Sequence, residues 1–216
     1  MSLWPLSSDN SLLFVAGKSL AKWESLLNRT FDPTYPWDLL DLNAELMATI
    51  EDWPGHPSIQ ADPEARVIVG EGTKILPGVY IEGDVIIGDN CKIGPNCYLR
   101  GSTSIGNNCH VGNAVEIKNT ILSPGASVGH LSYVGDSYLG AGVNFGAGTT
   151  TSNLRHDGAN HRSLVDGSLV DTGRRKFGAI IGDKVHTGIN TSIYPGRKIG
   201  PNATTLPGQV VQSDLS

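Results

Sequence analysis

The chain has 216 residues, a formal net charge of −5, and charged side chains at only 17% of positions. That length holds one main domain with something small beside it. The acidic balance gives no support for a nucleic-acid partner, which would leave a basic patch or stripe. No apolar run reaches the ~18 residues of a membrane span.

The start, MSLWPLSSDN, lacks the basic stretch and apolar core of a secretion signal, so a cytoplasmic protein is expected. Residues 1–63 show no long repeat and are expected to form a helical cap and linker. Lys18 to Leu27 carries Leu20, Trp23, Leu26 and Leu27 at helical spacing. A second helix is expected in TYPWDLLDLNAELMATIEDW, with Pro36 at its first position, Asp38 in its first turn and Pro54–Gly55 beyond its end.

Residues 64–216 are expected to form a second unit, and over 69–151 the sequence counts in sixes. Aliphatic residues fall at Val69, Ile75, Ile81, Ile87, Ile93, Leu99, Ile105, Val111 and Ile117, with a small residue four places after each of the first eight. A six-residue period over this many cycles is the signature of a parallel β-helix. Three flat sides close a coil of about 18 residues, so residues 18 apart stack at about 4.8 Å, the strand spacing. A solenoid exposes its end coil and needs a cover; the two helices are expected to supply it or to join a neighbouring subunit.

The count slips by one between Ile117 and Leu122, and again between Val134 and Leu139. Such slips distort corners and can re-aim side chains, as a bulge does. Residues 152–178 break the period altogether and read as a loop extruded from one corner, with room for a short hairpin. Long excursions from a rigid scaffold often carry function. Sixes return at Ile181, Thr187, Ile193, Ile199, Thr205 and Val211, which makes about seven coils in all.

Cys91, Cys97 and Cys109 occupy the small inward slot and read as packing residues; they make neither a disulfide framework nor a zinc site, and no metal is expected. Arg100 and Lys118 are 18 apart and therefore stack in one column. Adjacent cations repel unless an anion lies between them. They suit a phosphate, gripped bidentately by Arg and as a point charge by Lys, or else a solvated face balanced by Glu82 or Glu116. His130 lies between the two slips among Glu116, Ser132, Tyr133 and Asn144. It is either a hydrogen-bonded surface residue or the best general base available. No Ser-His-Asp pattern, P-loop or dinucleotide glycine motif is present.

The stretch VEIKNTILSPGASVGHLSYVGDSYLGAGVNFGAGTTTSN resembles the acetyltransferase half of the bifunctional enzymes that join glucosamine-1-phosphate acetyltransferase to N-acetylglucosamine-1-phosphate uridyltransferase. The match runs from about Arg100 to Asn153. It extends more weakly over 64–216 through NLRHDG and DTGRRKFGAIIGDKVHTGINTSIYPGRKIG, and PWDLL resembles the helix that follows the nucleotidyltransferase domain. The resemblance implies a left-handed β-helix, a homotrimer with sites between subunits, and acetyl-CoA as co-substrate. His130 matches the general base, and Arg100 and Lys118 match the cations on the sugar phosphate. Glu116, Tyr133, Asn144 and Asn153 match residues lining the sugar, and Ala147 matches a backbone contact to acetyl-CoA. The implied reaction is N-acetylation of a hexosamine 1-phosphate, glucosamine 1-phosphate foremost, in nucleotide-sugar biosynthesis.

Three departures qualify this. Leu154 stands where the pattern has Tyr, Ile189 replaces a small polar residue, and no C-terminal arm follows the last hexad. Arg174, Arg175 and Lys176 either supply charge for the cofactor's phosphates or form a solvated loop run. No nucleotidyltransferase motif is present, so uridyl transfer is expected only from a separate partner. The other reading is a non-catalytic trimeric sugar-phosphate scaffold or a regulatory partner of a nucleotidyltransferase.

Overall fold

A computed structural model describes residues 3–57 and 59–216. The inward aliphatics of the hexads find their partners one coil away. Val69, Ile87, Ile105, Leu122, Leu139, Ile181 and Ile199 stand in register across a parallel sheet of seven strands. Ile75, Ile93, Val111, Val128 and Phe145 do so across a sheet of five. The third sheet has eight strands and carries Ile81, Leu99, Ile117 and Val134, then Ile193 and Val211. The fold is the mainly β, left-handed parallel β-helix class expected.

The three sheets enclose one apolar core in which every buried member is at most 4% exposed. Each fully buried Ile, Leu or Val contributes about 1.5–3 kcal/mol. The corners repeat as strictly as the sides. Gly72, Asn90, Asn108, Gly125 and Gly142 mark one of them at φ between 54° and 76°. That left-handed region is open to Gly and tolerated by Asn, which is why these two residues recur there.

Up to Ile117 the coils are 18 residues long. After the slips they shorten to 17: Glu116 pairs with Tyr133, and Tyr133 with Thr150. Both short steps fall at one corner, between the eight- and seven-stranded sheets, where Ser102, Asn119 and Asp136 take φ of 59°, 46° and 51°. The excursion 152–178 leaves from the same corner, between Thr151 of one sheet and Ala179 of the other. It holds the short hairpin, Arg162–Val165 against Ser168–Asp171. All the irregularities of the repeat are therefore stacked along one edge.

The N-terminal segment has two helices, α1 (Leu20–Leu27) and α2 (Asp38–Ala48). α1 starts later than its apolar spacing suggests, because Lys18–Ser19 pairs with Phe14–Val15 in a hairpin. The Ser19 hydroxyl then caps the helix, accepting from the Lys22 N–H at 3.3 Å. α2 starts at Asp38, two residues beyond Pro36, and the Asp38 carboxylate accepts from the N–H groups of Thr34 and Tyr35. The helical segment packs along the outer face of the seven-stranded sheet. There Leu20, Trp23, Leu39, Leu40 and Leu46 join one cluster with the outward residues Ile86, Ile121, Tyr138 and Ile180. Ile59 and Ala65, not the helices, pack against the interior of the first coil.

Candidate active site

The register of the eight-stranded sheet builds the site. Glu82 pairs with Arg100, Arg100 with Lys118, and Glu116 with Tyr133. The expected column of cations is present, yet each cation already has its own carboxylate. Arg100 donates to Glu116 at 3.1 Å and lies 3.6 Å from Glu82. Lys118 Nζ lies 3.1 and 3.2 Å from the two oxygens of Asp136. Arg100 also stacks over the Tyr98 ring at 5.4 Å.

The column ends at Gly135, which pairs with Lys118. A Cβ there would lie 2.4 Å from the Tyr133 hydroxyl and 2.9 Å from Asn153 Nδ2. The missing side chain lets these two groups close over the strand. Asn153 Nδ2 donates to the Tyr133 hydroxyl at 2.9 Å and to Asp136 at 2.5 Å. Burial raises the Tyr133 phenol above its ordinary value, and the carboxylates of Asp136 and Glu116 add to this. The phenol stays protonated and able to donate. Arg100, Glu116, Lys118, Tyr133 and Asn153 thus form one cluster.

His130, Asn144 and Ala147 lie elsewhere. His130 ends the strand Ser127–His130 of the five-stranded sheet, beside Asn113. It is exposed, and its imidazole makes no hydrogen bond among the described residues. Asn144 is exposed on the next strand, beside Ser127. Ala147 follows at the corner; its carbonyl accepts from the Asn190 N–H at 2.7 Å, and its own N–H has no backbone acceptor among the described residues. Between His130 and Tyr133 the chain turns the corner through Leu131, which is 64% exposed and held at φ 53°. A β-helix corner therefore separates His130 from Glu116 and Tyr133, the neighbours that sequence proximity suggests.

The basic run of the excursion lies on the Lys118 side. Arg174, Arg175 and Lys176 line a cleft of about 420 Å³ together with Asp41 and Asp136. Arg174 is ion-paired to Asp41 of α2, and Arg175 donates to the Gly158 carbonyl at 3.0 Å. The three cysteines are free and buried. Cys91 Sγ lies 3.1 Å from the Gly106 carbonyl, and burial pushes the Cys97 thiol up to about 12. A thiol in that state is not a nucleophile.

Residues 66–101 and 87–119 match the family described as bacterial transferase hexapeptide (six repeats). Both matches fall within the first coils of the solenoid, a run of hexapeptide repeats that begins the array. The array is similar to the bifunctional sugar-1-phosphate nucleotidylyltransferase/acetyltransferase of Sulfurisphaera tokodaii, 42% identical over 182 residues, 83% of this chain and 45% of that protein. It is also similar to the bifunctional protein GlmU of Methanococcus aeolicus, 40% identical over 181 residues, 83% of this chain and 44% of that one. The chain spans less than half the length of these relatives. Among solved structures, the GDP-perosamine N-acetyl transferase of Caulobacter crescentus aligns at a TM-score of 0.25 with 18% identity, covering 72% of this chain and 49% of that one. That likeness is too remote to carry an argument.

Two polar residues of the cluster were not singled out from the sequence: Asp136 and Asn119, whose Nδ2 donates to Asp136 at 2.9 Å. Their signal was the slipped corner itself. Both sit at its left-handed positions, and a polar residue held there faces the edge where the irregular coils meet. No helix of the described residues is long and apolar enough to cross a membrane.

Proposed function

We propose that the hexapeptide array transfers acetyl from acetyl-CoA to the amine of a hexosamine 1-phosphate, glucosamine 1-phosphate foremost. The cluster of Arg100, Glu116, Lys118, Tyr133 and Asn153 on one face carries this reading. It offers two cations for a phosphate and neutral and anionic groups for the hydroxyls and amine of a sugar. The Sulfurisphaera tokodaii relative is, by its name, a sugar-1-phosphate nucleotidylyltransferase and an acetyltransferase.

His130 takes the proton as the amine attacks the thioester carbonyl. Arg100 and Lys118 hold the phosphate and so fix the amine near the thioester. The free N–H of Ala147 is available to the developing oxyanion. No covalent intermediate is needed, in keeping with cysteines confined to the core.

Since His130 and the cluster lie on different sheets of one chain, the site is completed by a second copy, and the assembly is a homotrimer. Leu131, Ile189 and Leu206, on or beside the His130 corner, are 64%, 53% and 74% exposed, an apolar edge suited to a neighbour.

One observation favours the non-catalytic scaffold: the cations are already neutralised within the chain. A thiol-release assay with acetyl-CoA and a panel of amino-sugar phosphates separates the two. Release that depends on the sugar phosphate supports the enzyme; binding of the sugar phosphate without release supports the scaffold.

A further inference from the structure

Asp136 has no place in the reaction described above, yet it is the hub of the cluster. Its side chain is 4% exposed, less than any partner it holds in an ion pair or cluster contact on that face. Both carboxylate oxygens are engaged. Oδ1 accepts from Lys118 and Asn119, and Oδ2 from Lys118 and Asn153. Its own backbone is fixed from both sides: its N–H donates to the Lys118 carbonyl at 2.8 Å, and its carbonyl accepts from the Gly178 N–H at 2.9 Å. It therefore ties three coils together at the slipped corner.

We propose that Asp136 is a positioning residue for sugar-phosphate binding: it holds the Lys118 ammonium and the Asn153 amide in the geometry that receives the substrate. This rests on the reading that Lys118 meets the phosphate. A lysine on four rotatable bonds loses much rotamer freedom when it engages a ligand. Here much of that freedom is already removed, because Nζ is held 3.2 and 3.1 Å from the two oxygens of one buried carboxylate. The ammonium hydrogens that point away from that carboxylate are left for an incoming anion. Asn153 is oriented in the same way, with one amide hydrogen on Asp136 and the Tyr133 hydroxyl held by the same nitrogen.

The alternative role for a carboxylate next to a phosphate site is a damper, which repels the anion. The two differ in sign. A positioning role weakens sugar-phosphate binding when Asp136 loses its charge; a damping role strengthens it.

The test is calorimetric binding of glucosamine 1-phosphate and of glucosamine, with kcat and KM alongside, in the full chain and in Asp136→Asn, Lys118→Ala and the double variant. Asn tolerates the left-handed backbone of position 136. The expected result for Asp136→Asn is a Kd and KM for the sugar 1-phosphate raised by about 10- to 100-fold, the cost of a misplaced group. kcat falls less, and binding of glucosamine changes least. In the Lys118→Ala background the same substitution adds little, because the group it positions is gone.

A raised Kd in Lys118→Ala with an unchanged or lowered Kd in Asp136→Asn would overturn the proposal while sparing the phosphate reading. An unchanged Kd in Lys118→Ala would overturn both. Should Asp136→Asn not fold, Asn119→Ala carries the test, since it removes one donor and keeps the carboxylate. A smaller rise in Kd supports the proposal, and an unchanged Kd contradicts it.

Discussion

His130 stands exposed at the end of its strand, and its imidazole makes no hydrogen bond among the described residues. His130→Ala should lower kcat by about 10²–10⁴ with an unchanged thermal midpoint; steady-state kinetics and a melting curve check this together, and unchanged turnover removes it as the base. Lys118 is different. Its side chain is 18% exposed and its partner Asp136 4%, so truncating it strands a buried carboxylate. Lys118→Ala should weaken sugar-phosphate binding and also cost up to about 3 kcal/mol, whereas Lys118→Met with Asp136→Asn should recover most of that loss. Denaturant unfolding of the single and double variants decides it. Cys91, Cys97 and Cys109 should each tolerate Ala with full turnover and a loss of about 1 kcal/mol; abolished turnover in a folded variant would contradict direct acetyl transfer. The stacking of Arg100 on Lys118 was legible because an 18-residue coil leaves no other register. The carboxylate that answers Lys118 was not, since Asp136 lies 18 residues beyond it in a coil of 17, at a corner whose shape the spacing does not define.

Among the elements, the slipped corner and the N-terminal segment account for what a count of sixes misses. The count follows inward side chains. It is silent about the residue before each one, which faces outward, and on the seven-stranded sheet that outward row includes Ile86, Ile121 and Ile180. These apolar residues were visible in the sequence but had no partner until the helices of residues 20–48 were laid against them. The two helices were legible from their spacing; the face they cover was not, because an amphipathic helix does not say which apolar surface it meets. Asn43 pins α2 to the sheet. Its Oδ1 accepts from the Ala16 N–H and the Ser104 hydroxyl, both at 2.7 Å, and its Nδ2 donates to the Ser102 carbonyl at 2.9 Å. Asn43→Leu strands these buried groups and should cost about 1–3 kcal/mol each where water cannot reach them, read as a lower denaturation midpoint with kcat intact. The excursion is held by His161, whose Nε2 lies 3.1 Å from the Asn153 carbonyl and therefore donates to it. Burial lowers the His161 pKa below its ordinary value of 6.5. The folded chain then binds fewer protons than the unfolded one, so this contribution is full above pH 6.5 and is lost as pH falls through the folded value. An imidazole titration followed by proton NMR should show a midpoint under 6.5; a midpoint above it would contradict the burial.

The whole molecule presents three unequal sides. The N-terminal segment and the excursion hairpin cover the seven-stranded one, and the other two carry the Arg100–Lys118 cluster and His130, on either side of a corner. One chain places the Arg100–Lys118 cluster and His130 on different sheets, which is why the proposed reaction requires a second copy. Light scattering at micromolar concentration should give the mass of three chains, and a monodisperse monomer would contradict the shared site. The most direct test of the central claim is the rate of thiol release from acetyl-CoA with and without glucosamine 1-phosphate, for the unaltered chain and for His130→Ala. The account predicts release that requires the sugar phosphate and falls at least about 100-fold in the variant. Release that ignores the sugar phosphate, or that survives the loss of His130, would contradict it.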